Sequence, residues 1–217
     1  MAEYTWSFSS LKEFQQCPRK YYECRVAKNY TFKETEATIY GKEVHLALEE
    51  YVRDNKPLAK NYERFKDQVD TLIAIPGEKL CEYEMGLTRD KKACDFDDPN
   101  RWVRGIADLI IIDNDYAFII DYKTGSNKYP DTKQLRLMAL MVFEHFPQVN
   151  KVKAGLLFVM HGTFITDEYK REDKDLSWAI FEKALARLDN SYDANMWLPS
   201  PTPLCRWCPV KSCEFNQ

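Results

Sequence analysis

The sequence predicts an α/β domain built around a mixed β-sheet, and three observations carry that expectation. The segments LIIID (109–113), AFIID (117–121) and GLLFVM (155–160) are apolar on both faces, as strands covered by helices on each side are. Helical and extended patterns alternate along the chain as helices, three strands, a helix, a strand pair and a final helix. Between two of the strands, Asn114-Asp115 suits a two-residue hairpin turn, because both residues tolerate the positive φ such a turn demands.

In order, Ser10-x-x-Glu13 resembles a capping box opening a short helix to about Gln16. Cys17-Pro18 breaks that helix and restarts it, with Pro18 at a first helical position. From Gly41 to about Asp54, Val44, Leu48, Tyr51 and Val52 recur at helical spacing. A second helix is expected over Tyr62–Ile75, ended by Pro76-Gly77. Glu78–Thr88 reads as a strand and Asp90–Asn100 as a charged loop. After the central hairpin, a helix is expected from Thr132 to Phe146, then strands over Val152–Met160 and Phe164–Tyr169 around His161-Gly162. Asp175 or a neighbour opens a last helix to about Leu188. Trp197–Gln217, rich in proline and cysteine, is too short to fold alone.

Composition narrows the function classes. The chain has 217 residues, enough for a sizeable core, and one domain with appendages is expected rather than two full domains. Hydrophobic residues make up 45% and charged residues 30%, ordinary for a soluble globular protein. The net charge of −3 gives no global attraction to nucleic acid, so any such binding must come from a local basic groove. No run is long enough to span a membrane, and MAEYTWSFSS lacks a signal peptide's apolar segment, so a cytoplasmic protein without a membrane partner is expected. Seven cysteines in such a chain argue for free thiols or metal ligation rather than a disulfide framework.

If Asn114-Asp115 forms the loop, Asp113 faces Tyr116, and counting outward puts Asp108 opposite Asp121. Facing like charges destabilise a sheet, so this pair is expected to hold a cation. Lys123, two residues beyond Asp121, returns to the same face. Two carboxylates and an ammonium on one face suggest metal-assisted attack on a phosphate. Cys205, Cys208 and Cys213 pack three thiols into nine residues, close enough to share a second metal centre.

The ordered set Gly41-x-x-x-His45, Gly105-Ile-Ala-Asp108, Asp121-Tyr122-Lys123-Thr-Gly125 and Gln134 resembles the RecB-like branch of the PD-(D/E)xK nucleases, over roughly 41–140. The outer pattern, Cys17-Pro-Arg-Lys-Tyr-Tyr22 with Cys205-x-x-Cys208-x-x-x-x-Cys213, is similar to the iron–sulfur members of that branch, the AddB nuclease domain and the CRISPR-adaptation nucleases. The resemblance implies a restriction-endonuclease-like core (36–195) with a mixed central sheet flanked by helices. It also implies termini (1–35 with 196–217) joined by a cysteine-ligated cluster, all within one nuclease domain, 1–217.

It further implies a Mg²⁺- or Mn²⁺-dependent deoxyribonuclease with one or two ions. Asp108, Asp121, Lys123 and Gln134 would be catalytic, and His45, Asp108, Asp121 and the Tyr122 carbonyl would be metal ligands. Gln134 would position the substrate or Lys123. Where the family often has tyrosine four residues later, Met138 stands. Glu82 or Glu84 is a candidate for one more acidic ligand. Cys17 would complete a [4Fe–4S] site with Cys205, Cys208 and Cys213, with zinc as the alternative metal and Cys24 as the competing ligand. Cys81 and Cys94 read as ordinary thiols, and His145 and His161 as structural.

Arg19, Lys20, Lys128, Lys133 and Arg136, with Arg25 and Lys28, are candidates to line a DNA groove. The expected substrate is DNA, single-stranded or with free ends, cut exonucleolytically in recombination, repair or phage DNA processing. A helicase or recombination protein is a candidate partner, in a prokaryotic or phage-infected cytoplasm. The rivals are a structure-specific flap or overhang endonuclease and a non-catalytic iron–sulfur adaptor. A redox protein would leave the carboxylate pair unexplained.

Overall fold

The computed structural model describes residues 4–31 and 34–216; residues 1–3, 32–33 and 217, all in the predicted outer segments, lie outside the described residues. The chain falls into two compact units, Thr35–Trp178 and Met1–Glu34 together with Ala179–Gln217.

In the second of these, α1 (Phe8–Gln16) is capped by Ser7, not Ser10. The Ser7 hydroxyl accepts from the Ser10 N–H, and the Ser7 N–H donates to Ser10 Oγ at 2.8 Å. A serine at the third helical position thus plays the reciprocal part usually taken by Glu or Gln, and the box closes one turn earlier than expected. Cys17 interrupts the helix and α2 (Pro18–Tyr21) restarts it with proline at its start, as the sequence implies. A π-helical turn, Tyr22–Val26, follows.

The larger unit begins with α3 (Glu36–Asp54), capped by Thr35. It starts before Gly41 because its first turn is solvent-exposed and carries no apolar periodicity to read. The expected Tyr62–Ile75 helix is a 3₁₀ turn, Glu63–Phe65, followed by α4 (Lys66–Ile73). Strand β1 (Glu78–Thr88) has the expected bounds. The segment read as a loop contains β2 (Ala93–Cys94), too short to show alternation. Strands β3 (Arg101–Asp113) and β4 (Tyr116–Lys123) meet at Asn114-Asp115, with Asn114 at φ +53°. Then come α5 (Lys133–His145), β5 (Lys151–Phe158) and β6 (Thr163–Lys170). The last helix, α6 (Lys174–Asp193), begins in one unit and ends in the other. It runs past Leu188 because Tyr192 in its last turn stacks on Tyr4 and meets Trp197 edge-on, contacts no local pattern announces.

The six strands form one sheet in the order β2-β1-β3-β4-β5-β6. Only β4 and β5 are parallel, which makes the sheet mixed, as expected. On one face, Val44 and Leu48 of α3 and Val69 and Leu72 of α4 bury Leu109, Ile111, Ile120 and Tyr122. On the other, α5 presents a buried stripe that includes Leu135, Met138 and Met141, against strand residues such as Ile110 and Ile119.

Strands β1 and β3 change faces together part-way along. Cys81 and Leu109, paired across the strands, belong to the layer of α3 and α4. Two residues on, Tyr83 packs on His145 and Phe146 at the end of α5, and a Cβ on Gly105 would meet Met138 and Met141 of α5. Residues two or four apart in a regular strand share a face, so both strands must turn over in between. The turnover lies at Glu82, which sits at φ +46°, and at Asp108 across from it. A left-handed conformation costs a non-glycine residue about 1–2 kcal/mol, and such strain concentrates at functional sites.

Candidate active site and thiol cluster

The β3–β4 ladder runs from Asp113↔Tyr116 to Leu109↔Ile120. The next step of that register brings Asp108 and Asp121 opposite each other, at the point where the ladder stops. With no β3 residue paired to it, though still paired with Leu157 of β5, Tyr122 donates its N–H to Asp108 Oδ2 at 2.6 Å. Asp121 is buried, at 6% exposure, with Lys123 Nζ 2.6 Å from its Oδ2. From α5, Gln134 Nε2 donates to Asp121 Oδ1 at 2.5 Å, while its Oε1 accepts from Lys123 Nζ at 3.1 Å. One glutamine therefore fixes both members of the ion pair.

A second set adjoins this one from the α3 side. His45 Nδ1 lies 3.4 Å from Asp108 Oδ1. His45, Glu82 and Asp108 can each offer a ligand atom within 4.8 Å of the others, among the described residues the only such trio. The turnover at Glu82 brings that carboxylate to the crossing. Glu84, the other candidate, is exposed and pairs with Ile106 further along the sheet. Gly41, four residues before His45, has its own reason: a Cβ there would stand 3.2 Å from Thr124 Oγ1, so the glycine lets α3 approach the segment after β4. Beside the trio, His45, Glu49, Glu82, Lys42, Thr124 and Gly125 line a groove of about 710 Å³.

The electrostatics show a surplus of negative charge. Burial first, then Asp108 and Glu49, push Glu82 up to about 7. Burial and Asp108 raise Asp121, against the pull of Lys123. Burial opposes the charged form of His45, but its contact with Asp108 and the charges of Asp121 and Glu82 outweigh burial and raise it. Carboxylates this close resist ionising together unless a cation joins them. Two carboxylates and an imidazole suit a divalent ion of the Mg²⁺ or Mn²⁺ kind.

The smaller unit holds the thiols. Cys17, Cys205, Cys208 and Cys213 all line one cavity of about 20 Å³, and Cys24 does not. Backbone N–H groups point at two of the sulfurs: Lys20 and Ser200 at Cys17 Sγ (3.5 and 3.4 Å), and Thr202 at Cys205 Sγ (3.3 Å). No three of these thiols come within 4.8 Å of one another. Cys81 and Cys94 lie on β1 and β2, in the other unit.

The basic candidates separate by engagement. Arg19 pairs with Glu23 at 2.7 Å and Lys20 lies 3.7 Å from Glu13. Arg25 pairs with Glu13 at 2.7 Å. Arg136 donates to Ser177 Oγ at 3.3 Å and lies over the Tyr169 ring. Lys128 and Lys133 are exposed, and neither has an ion-pair partner among the described residues. His145 Nε2 lies 2.9 Å from the Gly86 carbonyl and its ring meets Tyr83, a packing role. Met138 is buried at 5% exposure and packs against Gly105, which gives its side chain a place in the core.

Among solved structures, the chain is similar to SSO0001 (16% identity, TM-score 0.52, covering 100% of this chain and 89% of that one). It is also similar to the “putative exonuclease” of Eubacterium rectale (12% identity, TM-score 0.56, 94% and 87% covered). At these identities the likeness establishes the fold alone. No curated protein matches. No helix among the described residues is long and apolar enough to cross a membrane. The family model described as the PD-(D/E)XK nuclease superfamily matches residues 5–213, nearly the whole chain, and with the mixed sheet and the acidic strand crossing this places the protein in that superfamily of divalent-metal nucleases.

Proposed function

We propose that the protein is a Mg²⁺- or Mn²⁺-dependent deoxyribonuclease that removes nucleotides from the ends of single-stranded or end-containing DNA. The carrying observation is the meeting of two constellations at one strand crossing, His45–Glu82–Asp108 and Asp121–Lys123–Gln134. His45, Glu82, Asp108, Asp121 and the Tyr122 carbonyl would hold the metal. Bound there, it supplies Lewis-acid polarisation of the phosphate and a water acidic enough to ionise near neutral pH. Lys123, held between Asp121 and Gln134, presents a fixed ammonium to charge developing on the phosphate or to the attacking water. Asp121 and Gln134 together aim that ammonium. The exonuclease reading draws on the resemblance to RecB-like enzymes and on the name of the Eubacterium rectale neighbour.

The four thiols fit a [4Fe–4S] cluster better than zinc. A ZnS₄ tetrahedron with bonds of about 2.3 Å needs sulfurs about 3.8 Å apart, and no three here come within 4.8 Å. In a cubane each cysteine binds a different iron, which spreads the sulfurs around a central body, as these surround their cavity. The N–H groups aimed at Cys17 and Cys205 suit ligated thiolates.

Time courses on end-labelled linear and closed circular single strands, with Mg²⁺ or Mn²⁺ and with EDTA, test the activity. The expected products shorten from a terminus, and circles stay intact. Rapid cutting of circles would move the reading to an endonuclease, and no cleavage with either ion would overturn it. Protein purified without oxygen should be brown, with about four irons per chain. Colourless protein carrying zinc would overturn the cluster.

A further inference from the structure

The segment between β4 and α5 carries the most exposed large hydrophobic side chain among the described residues, Tyr129, at 93% exposure. Its ring has no hydrogen-bond or ring partner among the described residues. A phenol ring held out in water has both faces open to another molecule. The segment itself is anchored. Thr124 packs where Gly41 leaves room, and Asn127 Nδ2 donates to Thr163 Oγ1 at 3.0 Å. Pro130 restricts the backbone directly after the tyrosine.

Three features place this ring on a path for substrate. Thr124 and Gly125 of the same segment form a wall of the groove that also contains His45 and Glu82. Tyr129 follows Gly125 closely in sequence, within at most about 14 Å of chain. Lys128 beside it and Lys133 just after it are exposed and free of ion pairs among the described residues. The nearest acid in sequence, Asp131, accepts from the Lys133 N–H at 3.3 Å. Unpaired lysines flanking a free aromatic ring are how proteins hold a nucleic-acid strand without reading its sequence: the cations meet phosphates and the ring meets a base. A groove of about 710 Å³ is of small-ligand size, suited to a few nucleotides of a single strand.

We propose that Tyr129 is a base-stacking contact for a single polynucleotide strand entering the groove, with Lys128 and Lys133 drawing in its phosphates. This rests on the nuclease reading of the site and adds the residues that would hold the strand. Tyr129 supplies the aromatic contact that the buried Met138 does not.

The test measures binding apart from cleavage. Anisotropy of labelled oligothymidylate, in Ca²⁺ and at fixed salt, is read with the cleavage-impaired Asp121→Asn chain with and without changes at Tyr129. Tyr129→Ala should weaken binding about 5- to 150-fold, the size of one stacked base, while Tyr129→Phe and Tyr129→Trp stay within about twofold. A strand with one abasic site scanned along it should lose affinity at a single position with Tyr129 and at none with Tyr129→Ala. In the chain with Asp121 intact, Tyr129→Ala should raise the KM for oligothymidylate cleavage by a like factor, while a strand built only of abasic sites, which offers phosphates but no ring to stack, should show no such difference between Tyr129 and Tyr129→Ala. Equal affinities for Tyr129 and Tyr129→Ala, or Tyr129→Phe binding as weakly as Tyr129→Ala, would overturn the stacking role. Absence of hydrolysis in the unaltered protein would overturn the nuclease reading instead, and the binding series would still stand on its own.

Discussion

Gln134 grips both ends of one ion pair, donating to Asp121 and accepting from Lys123. Without it the two charges still attract, but the ammonium can swing. A displacement of about 1 Å can cost about 100-fold in rate when a group must be aimed. Gln134→Ala should therefore lower kcat by about 10- to 100-fold and barely change Tm. Gln134→Glu should be worse, because it sets another carboxylate against buried Asp121. Single-turnover rates at saturating metal check this, and wild-type kcat in Gln134→Ala would reduce the residue to packing. The hairpin register and the strand period put Asp108, Asp121 and Lys123 in view, and the family resemblance added Gln134. The sequence left Glu82 and Glu84 undecided, since only the local backbone separates them.

At the level of elements, α3 comes close to the segment after β4 at Gly41, where there is little room for a side chain. Gly41→Ala gains about 1 kcal/mol of helix propensity but sets a Cβ 3.2 Å from Thr124 Oγ1, a hydroxyl that can rotate away. These effects oppose each other, so Tm should stay within a few degrees. Gly41→Val adds branches that Thr124 cannot escape. It should lower Tm and also raise the metal concentration needed for half-maximal rate, because His45 rides on the same helix. Thermal scans with a metal titration check both, and unchanged metal dependence in Gly41→Val would show that the helix can shift without carrying His45 away.

For the whole molecule, the crowded carboxylates tie stability to pH. Glu82 is raised from the usual carboxylate range to about 7, and burial and Asp108 raise Asp121 as well. A carboxyl whose folded pKa exceeds its unfolded one binds its proton more tightly when folded, so its contribution falls as pH rises between the two values. His45 is raised too; its contribution is present below about 6.5 and lost as pH climbs through the folded value. The signs agree. The metal-free protein should lose Tm between about pH 4.5 and 7.5, and Mg²⁺ or Mn²⁺ should restore it at the upper end. In Glu82→Gln the slope should be shallower. A metal-free Tm that rises through this window would contradict the arrangement of charges.

Legible without any coordinates were the α/β class, the mixed sheet, the hairpin at Asn114-Asp115 and the facing pair Asp108 and Asp121 with Lys123, while His45 and Gln134 entered through the family resemblance. Apolar periodicity and turn chemistry are local properties, written in neighbouring residues. Features that depend on distant partners emerged only in the folded chain. Helix α6 lengthened because Tyr192 found Tyr4, at the other end of the sequence, as well as Trp197. The resemblance named Cys17 with Cys24 as its rival, and the fold separates them, since Cys17 lines the thiol cavity and Cys24 does not. Least legible was the turnover at Glu82 and Asp108. Both strands change faces together, so their register and odd-numbered apolar pattern continue unbroken, and no period in either strand records the turn that brings His45, Glu82 and Asp108 to one point.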